Sequence, residues 1–117
     1  TTAIYENTTT VLSTLEDLEA LSRVQQGFRL CVTDGLCNWL LNDAVVPIAA
    51  KTGTAENTIV VDGAAYDSPN NSLVAFAPYE EPEIALSCVI EHAWNDVTQV
   101  NLCQEITREV VDYYFTR

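Results

Sequence analysis

Val45-Val46-Pro47-Ile48-Ala49-Ala50-Lys51-Thr52-Gly53-Thr54-Ala55-Glu56 is the stretch on which the fold of this chain turns. Its first half is an unbroken apolar run, the signature of a buried strand. The run then meets a lysine and a glycine set among threonines. A strand over 45–55 therefore carries a cation, and a patch of backbone without a Cβ, out to the surface. Taken alone, the lysine, threonine and glycine also fit a bland alternative, an exposed strand end followed by a turn.

The flanking segments frame that strand. Ser13-Thr14-Leu15-Glu16 fits a capping box, serine accepting from one orphan amide while glutamate reaches back to another. The helix it opens is expected to run to Val32, with Leu15, Leu18, Leu21, Val24, Phe28 and Cys31 as one apolar stripe. Gly27 weakens that helix, and Thr33-Asp34-Gly35 stops it. Cys37 to Leu41 reads as about one helical turn. Beyond Glu56 comes a polar stretch in which Thr58-Ile59-Val60-Val61 extends a strand, closed by the turn cluster Asp67-Ser68-Pro69-Asn70-Asn71. Two strands follow, 73–77 and 84–91, with Pro78 to Pro82 turning between them, so they should pair antiparallel. A final helix over 100–115 is expected to take its cap from Asn95 or Asp96. Val100, Cys103, Ile106, Val110 and Tyr114 give it an inner stripe, widened by Leu102, Val111, Tyr113 and Phe115. Residues 1–12, polar and threonine-rich, read as an extended leading segment. The sum is α+β: an antiparallel three-stranded sheet flanked by helices.

Composition narrows the function. At 117 residues the chain is one domain or a piece of one, and 48% apolar content is enough for a packed core. Five basic against 17 acidic side chains leave a net charge of −12, a field that repels nucleic acid and anionic membrane surfaces. No apolar run approaches the roughly 18 residues of a membrane span. Cys31, Cys37, Cys88 and Cys103 form no Cys-x-x-Cys pair, so no metal site or cofactor is expected. Cys88 and Cys103 read as buried free thiols, while Cys31 and Cys37 flank a turn and could bridge it.

Lys51-Thr52-Gly53 at the end of a strand resembles one of the three signatures of penicillin-binding proteins and serine β-lactamases. The context strengthens the likeness. Residues 25–35 are similar to the helix and turn before that strand in class B penicillin-binding proteins, 74–78 and 82–91 to its next two strands, and the last helix to the family's last helix. The resemblance spans 14–117 and implies the C-terminal portion of a transpeptidase domain of the penicillin-binding protein / serine β-lactamase-like fold. It implies a parent enzyme that cross-links peptidoglycan stem peptides ending in D-Ala-D-Ala through a serine acyl-enzyme and binds β-lactams. That parent would be anchored by an upstream membrane helix with this domain extracytoplasmic. Lys51 and Thr54 are then catalytic: Lys51 holds positive charge near the substrate carboxylate, and the Thr54 amide contributes to the oxyanion hole. Thr52, Gly53 and Thr54 bind substrate, which lies against the strand as an added strand. Glu56 stands where glutamine is common, and glycine is common at Gly27, where it would suit close helix packing. A β-lactamase usually carries another glycine soon after the lysine-threonine-glycine motif, which Thr54-Ala55-Glu56 does not supply.

The nucleophile is not found in the chain. Ser13, Ser22, Ser68, Ser72 and Ser87 all lack a lysine three positions on, and Ser68-Pro69-Asn70 follows the Lys51 strand where the family's Ser-x-Asn motif precedes it. His92 reads as structural, and Glu16-Asp17 and Glu80-Glu81 as solvated. The chain is thus expected to be a part of an enzyme, inactive alone. It would be partnered by the rest of the domain or by a second copy through an open edge at 84–91. A catalytically dead binding or sensor module is the alternative from another class.

Overall fold

A computed structural model describes residues 10–93 and 101–117. The elements are α1 (Leu18–Thr33), α2 (Asn38–Leu41), β1 (Ala49–Ala55), β2 (Thr58–Val61), β3 (Ala64–Asp67), β4 (Asn70–Ala77), β5 (Ile84–Ile90) and α3 (Leu102–Thr116). β1, β4 and β5 form an antiparallel sheet in the order β1-β4-β5, as expected, and β2 and β3 form a separate two-stranded hairpin. Register sets Lys51 opposite Val74 and Gly53 opposite Ser72, then Leu73 opposite Cys88 and Val74 opposite Ser87.

Alternation along the strands sorts the faces. Ala50, Leu73, Ala75 and Ala77 turn inward, where they join Val32, Cys37, Leu41, Ile48, Cys103 and Val111 in one core. α1 packs along β1, α3 covers β4 and β5, and α2 touches both helices. Lys51, Gly53, Ser72, Val74, Ser87 and Val89 occupy the other face, where Val74 and Val89 are exposed.

Several sequence expectations need correction. α1 starts not at a capping box on Ser13 but at Asp17, whose Oδ1 accepts from the Ala20 amide at 2.8 Å. Asp17, read as merely solvated, thereby satisfies one of the helix's orphan donors. Residues 10–16 carry no helix or strand, and the rest of the leading segment lies outside the described residues. The expected apolar stripe of α1 is half-buried at Phe28 and Cys31, near its C-terminal end, and exposed elsewhere; the buried residue of the helix is Val32. Phe28 reaches Phe76 at 6.1 Å between ring centroids, whereas Leu18 is 70% and Val24 56% exposed. Gly27 has nothing within 4 Å of where a Cβ would stand, so it serves no close packing among the described residues. Gly35 does: a Cβ there would lie 2.9 Å from Cys31 Cα.

β1 begins at Ala49, not at Val45. Pro47 has no amide to give a ladder, and the Val45 amide goes instead to Asp112 Oδ1 at 2.9 Å. Only Ser68 and Pro69 separate β3 from β4, so the expected turn cluster is mostly strand. Ala77–Pro78 is a cis peptide bond within the connection to β5.

The proposed caps Asn95 and Asp96, together with Trp94 and Val100, lie outside the described residues. At the N-terminus of α3, Asn101 caps without a side-chain bond, and Asn71 Oδ1 of β4 takes the Cys103 amide at 3.1 Å. The buried face of α3 is Cys103, Gln104, Thr107 and Val111, while Ile106, Val110 and Tyr113 face outward. Hydrophobic residues lie all around this helix, so periodicity alone misjudged its phase. Gln104 turns inward with its Nε2 donating to the Leu36 carbonyl at 3.4 Å. Arg108 then clasps Asp112 and the Leu40 and Asp43 carbonyls, fastening α3 to the α2–β1 connection.

The cysteines pair differently from expectation. Cys88 and Cys103 are joined, with Cα atoms 5.6 Å apart, because the register of β5 places Cys88 beside Leu73 on the face that α3 covers. Cys31 and Cys37 are free.

Candidate functional site

β1 is the outer strand of its sheet, so one of its edges has no strand beside it among the described residues. Along that edge the backbone changes character. Ala49 and Ala50 are fully buried, Thr52 and Gly53 half-buried, and Lys51, Thr54 and Ala55 exposed. The lysine thus stands at the point where the strand emerges from the core. Its Nζ donates to the carbonyl of Thr52 at 2.6 Å, a bond within its own strand.

The alternation that puts Lys51 and Gly53 on the face turned away from the core puts Thr52 and Thr54 on the opposite side of the strand. The four sequence-predicted residues therefore do not converge on one face. They share only the strand's outer edge, and a partner that touches all four must lie along it. Behind the strand sits the Cys37 thiol. Burial pushes it up to about 12, reinforced by the neighbouring Cys31 thiol; the Lys51 charge and the Thr52 amide pull the other way but less strongly. Cys37 is accordingly a neutral thiol at physiological pH, packing beneath the motif and not attacking anything.

Gly53 has a second reason to be glycine, which the sequence did not disclose. Ser72 on β4 directs its Oγ to the Gly53 carbonyl at 3.1 Å. A Cβ on Gly53 would stand 2.5 Å from that oxygen, well inside contact. The other serines offer no nucleophilic arrangement. Ser68 is buried in the β3–β4 connection, with its amide bonded to the Asn57 carbonyl at 2.8 Å. His92 adopts φ 52° with its amide on Asn70 Oδ1 at 3.1 Å and Nδ1 3.3 Å from the Ser68 carbonyl, a role in local structure. Among the described residues no group of three or more His, Cys, Asp or Glu side chains is placed to hold a metal ion.

Past Thr54 the chain enters the β2–β3 hairpin. Only its first strand was expected from the sequence, yet the signal for the second was present. Asp62-Gly63 between apolar residues is a strong two-residue hairpin turn, and both take positive φ, 51° and 82°. Thr58 pairs with Asp67 at the foot of the hairpin. There Thr54, Glu56, Asn57, Thr58, Asp67 and Pro69 line a hollow of about 530 Å³.

Comparison with known proteins gives the family of the chain. The sequence model of the penicillin binding protein transpeptidase domain matches residues 16–112. Penicillin-binding protein 2A of Bacillus subtilis is 41% identical over 101 residues, covering 81% of this chain and 14% of the relative. Penicillin-binding protein 2B of Streptococcus pneumoniae serotype 4 is 38% identical over 73 residues, covering 62% of this chain and 10% of the relative. The solved structure of penicillin-binding protein 2B from S. pneumoniae strain R6 superposes with a TM-score of 0.67 at 32% identity, over 80% of this chain and 15% of that one. PBPA from Mycobacterium tuberculosis shares the fold, with a TM-score of 0.55 at 20% identity over 85% of this chain and 21% of that one. The chain spans only about a seventh or less of the length of these curated relatives. It belongs to the penicillin-binding protein transpeptidase family.

Proposed function

We propose that this chain is the C-terminal portion of the transpeptidase domain of a peptidoglycan D,D-transpeptidase and supplies one wall of its cleft. The observation that carries the reading is Lys51 standing beside Gly53 where β1 leaves the core, on an edge that no strand of the described residues occupies. A peptide ending in D-Ala-D-Ala lies along that edge as an added strand. The Lys51 ammonium, swung from the Thr52 carbonyl, faces its carboxylate. Thr52 and Thr54 offer hydroxyls from the other side, and the Thr54 amide donates to the oxyanion that develops when the carbonyl is attacked. Gly53 keeps the path clear. The attacking serine is supplied by a part of the domain outside these residues, because no serine here has a lysine three positions on.

The partners follow from this reading: stem peptide, β-lactams that acylate the same serine, and the remainder of the domain. That remainder covers the uncovered sheet face and continues the sheet beside β5, whose outer edge has no strand among the described residues. Isolated, the fragment pairs through that edge, residues 84–91, with a second copy. No helix of the described residues is long and apolar enough to cross a membrane, and the parent is held at the extracytoplasmic face by an upstream helix.

Intact mass of the full-length protein after incubation with penicillin tests the reading. A single acyl mass persisting for minutes to hours supports a transpeptidase. No adduct, with intact drug, identifies a non-catalytic binding or sensor module. Drug consumed without a lasting adduct identifies a β-lactamase.

A further inference from the structure

We infer that Cys31 and Cys37 are a modifiable thiol pair: a low-molecular-weight disulfide oxidises them to a bridge, which draws the Cys37 sulfur from the Thr52 amide and slows acylation of the parent enzyme. The effect on acylation rests on the reading of β1 as the cleft strand, whereas the bridge itself does not. Both residues are thiols in the structure, and their backbones already lie at bridging distance. The Cys37 amide donates to the Cys31 carbonyl at 2.9 Å. With standard bond lengths on either side, that bond holds the two Cα atoms within about 6.8 Å, inside the range that disulfides span. The side chains meet as well, since the two thiols share a hydrogen bond. The turn between them is tight. A Cβ on Gly35 would stand 2.9 Å from Cys31 Cα, and Asn38 Nδ2 donates to the Val32 carbonyl at 3.1 Å and the Thr33 carbonyl at 2.5 Å. The bridge therefore closes by turning side chains within a backbone already in place.

The two sulfurs take different parts. At rest Cys37 is fully buried and protonated, so the first step falls to the half-buried Cys31. Its sulfur, giving its proton to solvent, attacks one sulfur of the oxidant. The oxidant's S–S bond breaks, and one thiol leaves with a proton taken up from water. Burial, the hydrogen bond to Cys31 and the charge on Cys31 together hold the Cys37 proton in place. A mixed disulfide on Cys31 removes the last two of these. Burial alone then opposes the Lys51 charge and the Thr52 amide, which favour the thiolate. Cys37 loses its proton, its sulfur attacks that of Cys31, and the mixed bond breaks to release the second thiol. Two protein thiols have lost two electrons and two protons, and the oxidant has become two thiols. The consequence reaches the motif through Thr52, whose amide donates to the Cys37 sulfur and so ties β1 to the turn behind it. Drawn to about 2.05 Å from the Cys31 sulfur, that acceptor leaves the amide unpaired, beside Lys51 and two residues before Thr54. The strand shifts to satisfy it, and a misplacement of about 1 Å at a catalytic group is enough to slow a reaction severely.

The test treats the full-length protein with oxidised glutathione and reads two quantities. Peptide mapping, after alkylation under denaturing, non-reducing conditions, is expected to join the Cys31 and Cys37 peptides and leave Cys88–Cys103 as it was. The rate of acylation by a fluorescent penicillin should fall by about tenfold and recover as reduced glutathione reopens the bridge. Cys31→Ala forms no bridge, and its rate should not respond to the oxidant; a response there would assign the slowing to other damage and overturn the inference. Cys31 and Cys37 remaining alkylatable, or glutathione held on Cys31 with no bridge, overturns it as well. So does a bridged protein that acylates at the unbridged rate, with the transpeptidase reading left standing. A wild type that never acylates overturns that reading, while the mapping still decides whether the bridge forms.

Discussion

Replacing Gly53 with alanine tests how β1 is built against β4. The new Cβ would stand 2.5 Å from Ser72 Oγ, so Ser72 must turn away and give up its 3.1 Å bond to the Gly53 carbonyl. Losing that bond costs about 1 kcal/mol, and relieving the overlap adds about 1 kcal/mol or more. The stiffer unfolded chain of the alanine variant returns about 0.4–1 kcal/mol. The net loss is about 1–2 kcal/mol. Ser72→Ala alone loses only the bond, about 1 kcal/mol. In Gly53→Ala/Ser72→Ala the clash disappears, because the Ser72 Cβ lies 3.8 Å from the new methyl, ordinary contact. The double variant is therefore expected to be about 1 kcal/mol more stable than Gly53→Ala, with a cycle sub-additive by about 2 kcal/mol. Urea unfolding midpoints of the full-length protein measure this. Additivity within about 0.5 kcal/mol would mean the two residues do not meet, and the account of Gly53 would fall. Penicillin acylation supplies a second readout. If Gly53 also clears the path of the added strand, acylation stays slow in the double variant relative to Ser72→Ala even where stability recovers.

Three further outcomes are expected. Cys88→Ser/Cys103→Ser removes a cross-link closing a span of 15 residues and should cost about 3 kcal/mol in denaturant unfolding; on this chain, alkylation under denaturing, non-reducing conditions should label Cys31 and Cys37 only. Partial burial alone would raise the Asp112 carboxyl, but the Val45 amide and Arg108 outweigh it and hold it below the usual range. Its contribution is therefore present above the unfolded value near 3.8 and is lost as pH falls through the lower folded value. Wild type should lose its advantage over Asp112→Asn in that acid window, and an advantage independent of pH would contradict the bond. Cys37 gives the opposite pattern. Its thiol is held up at about 12 against an ordinary 9.0, so its effect on stability is constant below 9 and turns unfavourable as the unfolded thiol ionises first between 9 and 12. Native Cys37 should resist iodoacetamide at pH 8, and rapid labelling of the folded protein would refute its burial.

Local chemistry was legible in the residues. Thr33-Asp34-Gly35 ended α1 where a stop was expected, the run through Lys51-Thr52-Gly53 was a strand, and the turn after Ala77 returned β5 antiparallel to β4. Such features depend on neighbours a few positions away, and periodicity and turn propensity report them directly. The motif also led to the family, because its order with the flanking elements is written along the chain. What depends on distant neighbours was not legible. The periodic leucines of α1 predicted burial that the described residues provide only near Phe28. The amphipathic pattern of α3 was too broad to show that Gln104 and Thr107 face the core. No spacing rule pairs Cys88 with Cys103, which meet because a strand register and a helix position coincide. The sequence by itself determined the order of elements and the identity of the motif. Strand alternation alone puts Lys51 and Thr54 on opposite sides; only the tertiary structure decided that β1 is an edge strand and which of its sides is buried, since that depends on the layer packed against it.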